Sequence, residues 1–164
     1  RTDSSVSVFG APFAISVNSA LSPNQKIVVN RTDRFLFKVY DENGNYERAF
    51  YYPFPNKPLT LNTALNQYDN ENYKRAIRNY DLPESWPAVD QFLIDDENRF
   101  WVSTIIDEEG MFEWWVLDEQ GNLLAKQIWP STHKVEHVQN NYLYMTEEDD
   151  MGLVEVVKYN LSMR

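Results

Sequence analysis

The sequence contains no cysteine. This absence excludes disulfides, thiolate metal sites and a cysteine nucleophile. Basic residues are also scarce, since 15 Lys and Arg stand against 25 Asp and Glu and give a formal net charge of −10. Such a chain repels duplex nucleic acid and anionic membrane surfaces, so we expect neither as a partner. No apolar run approaches the roughly 20 residues that span a bilayer, and we expect no membrane insertion.

The chain also lacks an initiator Met and begins at Arg1 without a signal peptide. We therefore expect a processed or trimmed chain whose targeting segment has been lost.

Aromatic residues, in contrast, are abundant. They make up 15 % of the 164 residues and include five Trp and ten Tyr. This content favours packed β-structure over a disordered chain, and the length is that of one ordinary domain with a hydrophobic core. We therefore predict a single all-β domain over residues 1–164.

One stretch of the sequence is written twice. DENGNYERAFYYP at 41–53 and DEQGNLLAKQIWP at 118–130 align without a gap at a shift of 77 residues. Each copy follows a β-rich arm and has a polar turn with a glycine, then a second arm that ends in an aromatic residue and Pro. Because glycine supplies the positive φ of such a turn, both copies predict β-hairpins of one kind.

A second alignment uses a shift of 42 residues. It places STIIDEEGMFEWWVLD on MTEEDDMGLVEVVKYN, so that Thr104 meets Thr146 and Gly110 meets Gly152. SPNQKIVVN, DDENRFWVS and QNNYLYMT share a polar turn followed by an apolar strand. Repeats of about 40 to 50 residues with four short strands each are typical of β-propeller blades.

The repeats predict three blades, at about 13–53, 86–130 and 134–161, the third without its outermost strand. Residues 5–9 form a predicted strand that could supply it. The longer first spacing indicates an insertion at about 57–83, where DNENYKRAIRNY predicts a short helix capped by Asp69 or Asn70.

FLIDDENRFWV, FEWWVLDEQGNLLAKQIWP and DDMGLVEVVKYNL resemble the C-terminal half of bacterial six-bladed β-propellers of the TolB-like and NHL-like type. The resemblance covers nearly all of residues 13–161. It implies a propeller fold and a periplasmic or extracellular protein, in many members lipid-anchored. It says little about activity, because these motifs are turns and core strands.

Three blades are too few to close a ring, and an open half would expose two blade faces. We expect the partner to be either the missing N-terminal half of the propeller or a second copy of this chain.

Metal sites are a minor expectation. His133 and His137 lie four residues apart, but on a strand this separation is about 13 Å, which favours a structural or surface role over a Zn²⁺ site. Carboxylates occur in three groups in predicted turns, without the spacing of a Ca²⁺ loop. These groups are 95–97, 107–109 and 147–150. We expect no cofactor, with Ca²⁺ or Zn²⁺ as the alternative.

The aromatic side chains divide into two sets. Trp101, Trp114, Trp115 and Trp129 lie in predicted strands, and alternation sends Trp114 and Trp115 to opposite faces, which predicts core packing. Four others flank the insertion and are predicted to be exposed ligand-binding aromatics, since loops carry function more often than strands do. They are Tyr51, Tyr52, Phe54 and Trp86.

No catalytic constellation is recognisable, because Gly-x-Ser-x-Gly and phosphate-loop motifs are absent from the sequence. We therefore favour a non-catalytic binding or scaffold module for a protein, peptide or glycan over an enzyme. The alternative is a propeller hydrolase or lyase that holds a metal ion in the central channel.

Overall fold

The computed structural model describes residues 11, 13–106, 110–149 and 151–162. These residues divide into two compact units. The helical unit comprises residues 11, 13, 14 and 58–86, and the sheet unit comprises 15–57 with the described residues from 87 onward.

The sheet unit is built from eleven strands. They are β1 (Val17–Leu21), β2 (Ile27–Arg31), β3 (Leu36–Tyr40), β4 (Tyr46–Tyr51), β5 (Val89–Ile94), β6 (Phe100–Ile105), β7 (Met111–Leu117), β8 (Leu123–Pro130), β9 (Lys134–Gln139), β10 (Tyr142–Glu148) and β11 (Val154–Asn160). They form three antiparallel sheets in which chain neighbours pair: sheet 1 (β1–β4), sheet 2 (β5–β8) and sheet 3 (β9–β11). The all-β prediction is confirmed, and each predicted repeat corresponds to one sheet.

Sheet 3 has three described strands, as the sequence predicts. The strand predicted at residues 5–9 lies outside the described residues.

The duplicated hairpins are confirmed as β3–β4 and β7–β8, and their turns share one geometry. The Oδ1 atoms of Asp41 and Asp118 accept hydrogen bonds from the backbone N–H groups of Asn45 and Asn122, at 2.8 and 2.7 Å. At the fourth position of the turn, Gly121 has a φ of +91°. A side-chain acceptor at the first position and a left-handed residue at the fourth thus explain why Asp-x-x-Gly recurs.

The alignment at a shift of 42 residues is wrong by one residue on β10. Ile105 pairs with Phe112 and Glu148 with Val154, so one hairpin encloses six residues (106–111) and the other five (149–153). With β7 and β11 aligned at 42, β6 and β10 correspond at 43. Thr104 therefore matches Glu147 and not Thr146.

A hydrophobic core lies between sheets 1 and 2. Phe37 is fully buried and contacts Phe92 and Phe100 of sheet 2, with ring centroids 5.0 and 6.0 Å apart. Trp115 packs on Phe35 at 5.0 Å. Sheet 2 thus buries one face against sheet 1.

The other face of sheet 2 packs against sheet 3. Trp101, Trp114 and Val116 of sheet 2 form this core with Leu143 and Met145 of sheet 3, all at most 4 % exposed. Since Trp114 and Trp115 belong to different cores, the predicted alternation and core packing are confirmed. Trp129 is partly buried against the second core.

The first strands of the three sheets lie side by side, β1 next to β5 and β5 next to β9. The turns that follow these strands are hydrogen-bonded in the same order. The backbone N–H of Asn24 donates to Oδ1 of Asn98 at 3.3 Å, and that of Asn140 donates to Oδ2 of Asp96 at 2.8 Å. One end of the sheet unit is therefore a row of three linked turns.

The helical unit contains α1 (Leu61–Leu65) and α2 (Glu71–Arg78). The helix predicted in the insertion is confirmed as α2, with Asn70 as N-cap. The sequence analysis did not predict α1, which begins where the Oγ1 of Thr60 accepts the backbone N–H of Thr63 at 3.2 Å. Among the described helices, neither is long and apolar enough to cross a membrane.

Candidate functional site

A β-bulge at the start of β5 creates the most distinctive polar site of the sheet unit. Val89 pairs with Thr104 and Phe92 with Val102, so two residues, Asp90 and Gln91, stand opposite Ser103. The Ser103 hydroxyl is fully buried and accepts the backbone N–H of Gln91 at 3.1 Å. Bulges of this kind re-aim a side chain and are frequent beside active sites.

The side chain re-aimed by the bulge is Asp90. Its Oδ2 lies 3.3 Å from Oγ of Ser103, which can donate to it. The residue retains an exposed surface, but surrounding protein atoms replace much of its hydration. This burial raises the pKa of Asp90 above its ordinary value, and the Ser103 hydrogen bond and the positive charge of Lys134 partly oppose the rise.

Each of the three sheets contributes to the surroundings of Asp90. Nδ2 of Asn18, in β1, donates to the backbone carbonyl of Asp90 at 3.0 Å. Lys134 is the first residue of β9 and acts on the carboxylate electrostatically. We call Asn18, Asp90, Ser103 and Lys134 the inner-strand site, because they lie on the first strands or on the strand paired with one of them.

The chemistry of this site suits recognition. The Asp90 carboxylate can accept hydrogen bonds from hydroxyl, amide or ammonium groups, and the Lys134 ammonium can donate them. Ser103 is fully buried and its hydrogen bonds hold the bulge together. It is therefore a positioning group and not an accessible nucleophile.

The four aromatics predicted to bind a ligand do not form one exposed group. Tyr51 is 60 % exposed, as predicted. Tyr52 and Phe54 are half-buried and pack on Trp115, and the Tyr52 hydroxyl donates to the carbonyl of Gly121 at 2.6 Å. Side-chain packing on the large indole accounts for this burial.

Trp86 is only 7 % exposed, so the prediction of an exposed aromatic is wrong for this residue. It belongs to the helical unit, where its ring packs edge-on against Phe13 at 6.2 Å. The predicted blade starts near residues 13 and 86 are likewise corrected to Val17 and Val89, where β1 and β5 begin.

The two histidines are not brought into a metal site. His133 precedes β9 and His137 lies exposed within it, with Nε2 3.3 Å from Oε1 of Gln139. Over the parts of the chain that the structure describes, no three His, Asp or Glu side chains are grouped to hold a metal ion.

The carboxylates at 95–97 serve a turn. Asp95 is buried, and its Oδ2 accepts from Nε of Arg99 at 2.6 Å and from Nε1 of Trp101 at 2.9 Å. Asp149 accepts the backbone N–H groups of Met151 and Leu153 in an exposed turn of the same kind. The group at 107–109 and Asp150 lie outside the described residues. The expectation that these acids are turn residues is confirmed for Asp95 and Asp149.

The sequence analysis missed the inner-strand site. The available signal was the polar dipeptide DQ at 90–91, just before the apolar run FLI. A bulge leaves no other trace in a single sequence, and the approach of Asn18 and Lys134 depends on how the sheets pack.

Comparisons with known proteins identify no family. No family model matches the sequence, and no curated protein matches it. Among solved structures, the chain is similar to a protein of unknown function from Bacteroides caccae, with 11 % sequence identity and a TM-score of 0.40. The match covers 90 % of this chain and 47 % of that protein, so this chain spans about half of its length.

Proposed function

We propose that the chain is a non-catalytic binding or scaffold module, built as three blades of a six-bladed propeller of the TolB-like or NHL-like type. The proposal includes a periplasmic or extracellular location. Its ligand is a protein, a peptide or a glycan that presents hydrogen-bond donors to the inner-strand site.

The observation that carries this proposal is the position of the first strands. β1, β5 and β9 lie next to one another, and successive sheets pack face to face. Sheets that meet at their first strands and fan outward are the arrangement of propeller blades. Polar residues from three sheets then gather where a propeller would have its axis, which is where ligand sites occur in folds of this kind.

The binding proposal is tested by screening the purified chain against glycan and peptide arrays. A ligand should be retained by the wild-type chain and by Asp69→Asn, a control in the helical unit. Asp90→Asn should lose at least tenfold in affinity, because an amide is a weaker acceptor than a carboxylate. Equal binding by Asp90→Asn would move the ligand away from this site.

A metal-dependent hydrolase or lyase is the second candidate, and the raised pKa of Asp90 is the observation that favours it. Perturbed carboxylates are frequent among catalytic acids and bases. Elemental analysis after dialysis separates the two: stoichiometric retention of Ca²⁺ or Zn²⁺ would favour the enzyme, whereas the binding module retains no metal.

A further inference from the structure

Two sheet faces have no neighbouring sheet among the described residues. On sheet 1 the open face is the one turned away from sheet 2, and Val17, Leu21 and Tyr51 on it are 66, 67 and 60 % exposed. On sheet 3 the open face is also turned away from sheet 2, and Val156 on it is 72 % exposed.

The strand registers give each open face an internal template. Ile27 pairs with Tyr40 as Phe100 pairs with Leu117. The open face of sheet 1 is therefore the counterpart of the face that sheet 2 buries against sheet 1.

The open face of sheet 3 matches the opposite kind of face. Tyr144 pairs with Lys158 as Trp101 pairs with Val116, and Trp101 and Val116 are buried against sheet 3. One open face thus corresponds to the back of a covered sheet and the other to the front.

We propose that a second copy of this chain covers both faces, with sheet 3 of each copy packed on sheet 1 of the other as sheet 1 packs on sheet 2. This inference rests on the proposed propeller arrangement. Two copies supply six sheets, within the four to eight blades with which propellers close. Both head-to-tail contacts are then satisfied by one two-fold axis.

Charge complementarity selects a second copy as the occupant. Within the chain, a crevice between sheets 1 and 2 is lined by Val39, Phe100 and Glu119, among others. These three side chains mark the places that meet when one sheet packs on the next.

Between two copies, the counterparts of these residues would meet. Lys158 of sheet 3 takes the place of Val39, whereas Ile27 and Glu42 of the other copy take the places of Phe100 and Glu119. A lysine replaces a buried valine on one face, and a glutamate lies opposite it on the other. Lys158 already extends over the ring of Tyr142, with Nζ 3.6 Å from the ring centroid, so its stem covers apolar surface while the ammonium remains available.

The contact should be weaker than the one inside the chain. Lys38 occupies the position that Trp115 has in sheet 2, so the aromatic cluster around Trp115 has no counterpart. We therefore expect a dimer that dissociates on dilution.

Light scattering coupled to size exclusion tests the proposal on the wild-type chain and on charge variants. The wild type should reach 38.8 kDa, twice the 19.4 kDa of one chain, at high concentration. Glu42→Lys and Lys158→Glu should each shift the mass toward 19.4 kDa, because they place like charges opposite each other. The double variant, which restores an opposite-charge pair, should recover the dimer. Lys74→Glu on α2 is the control with the same charge change and should dimerise like the wild type.

A wild-type monomer at every concentration, an open-ended oligomer, or single variants that dimerise normally would overturn the second-copy proposal. Circular dichroism on each variant separates loss of pairing from loss of fold. Ligand binding through Asp90 is a separate readout within one chain, so failure of the dimer does not remove the proposed binding function.

Discussion

Sheets 2 and 3 share one strand layout and differ in what covers them. Sheet 2 lies between two neighbours, and its Trp114 is 1 % exposed. The corresponding residue of sheet 3, on the open face, is Val156, which is 72 % exposed. The same repeat therefore places a large aromatic where a neighbouring sheet covers it and a smaller residue where none does. Residue size at this position reports burial and not strand identity.

Truncation at this position should give the largest contrast. Trp114→Ala should destabilise the sheet unit by about 4 kcal/mol, because it empties a buried site that an indole fills. Val156→Ala should change the free energy of unfolding by less than about 0.5 kcal/mol, as at most exposed sites. Urea unfolding followed by circular dichroism measures both. Similar losses in the two variants would mean that sheet 3 is covered in solution.

The first turns of the hairpins offer the next contrast. Asp95→Ala should cost about 3 kcal/mol, because it leaves the Arg99 guanidinium, about 10 % exposed at its side chain, without its buried partner. Asp149→Ala removes an acceptor from an exposed turn and should cost about 1 kcal/mol. Thermal unfolding of the two variants checks the order, and an equal loss would contradict the buried role of Asp95.

The glycines of the outer turns should differ by a smaller amount. A Cβ on Gly121 would lie 2.6 Å from Cγ of Phe50, and its φ is +91°, so Gly121→Ala should cost about 2 kcal/mol or more. Gly152 has a φ of +77° but meets only Oε1 of Glu148, at 3.5 Å. Gly152→Ala should therefore cost about 1 kcal/mol, from backbone strain alone. Equal losses would show that Phe50 moves aside freely.

The smallest expected effect concerns the inner-strand site. Since the fold raises the pKa of Asp90, its protonated form stabilises the fold, and this contribution is complete below the ordinary pKa of Asp and is lost as pH rises through the folded pKa. Asp90→Asn cannot ionise, so it should melt slightly above the wild type at pH 7 and not at pH 3. Melting curves at several pH values test this. A variant less stable at pH 7 would mean that the ionised carboxylate is stabilising.

Much of the fold was predictable from the sequence because it is local. Asp-x-x-Gly turns and alternating strands recur at fixed spacings, and each repeat closes its own sheet through neighbouring strands. The opposite destinations of Trp114 and Trp115 follow from alternation alone. The one-residue slip at Thr104 and Thr146 was not predictable, because a hairpin shortened by one residue leaves no gap in the strand pattern.

The candidate site was not predictable for a related reason. Asp90 depends on a bulge and on side chains contributed by two other sheets, so its neighbours are distant in sequence. Trp86 was wrongly expected at the surface, because a position beside an insertion does not reveal that the insertion builds its own small core with Phe13.

Spin-label distances test the fan arrangement of the three sheets most directly, and the cysteine-free chain accepts labels only where cysteine is introduced. One pair joins the first strands of sheets 1 and 3, at Ser19→Cys and Glu136→Cys. The other pair joins outer strands, at Ala49→Cys and Glu155→Cys, with each labelled chain diluted in unlabelled chain. We predict a clearly shorter distance for the first-strand pair than for the outer pair. Two equal distances near 20 Å, twice the roughly 10 Å spacing of parallel stacked sheets, would contradict the fan and the functional proposal built on it.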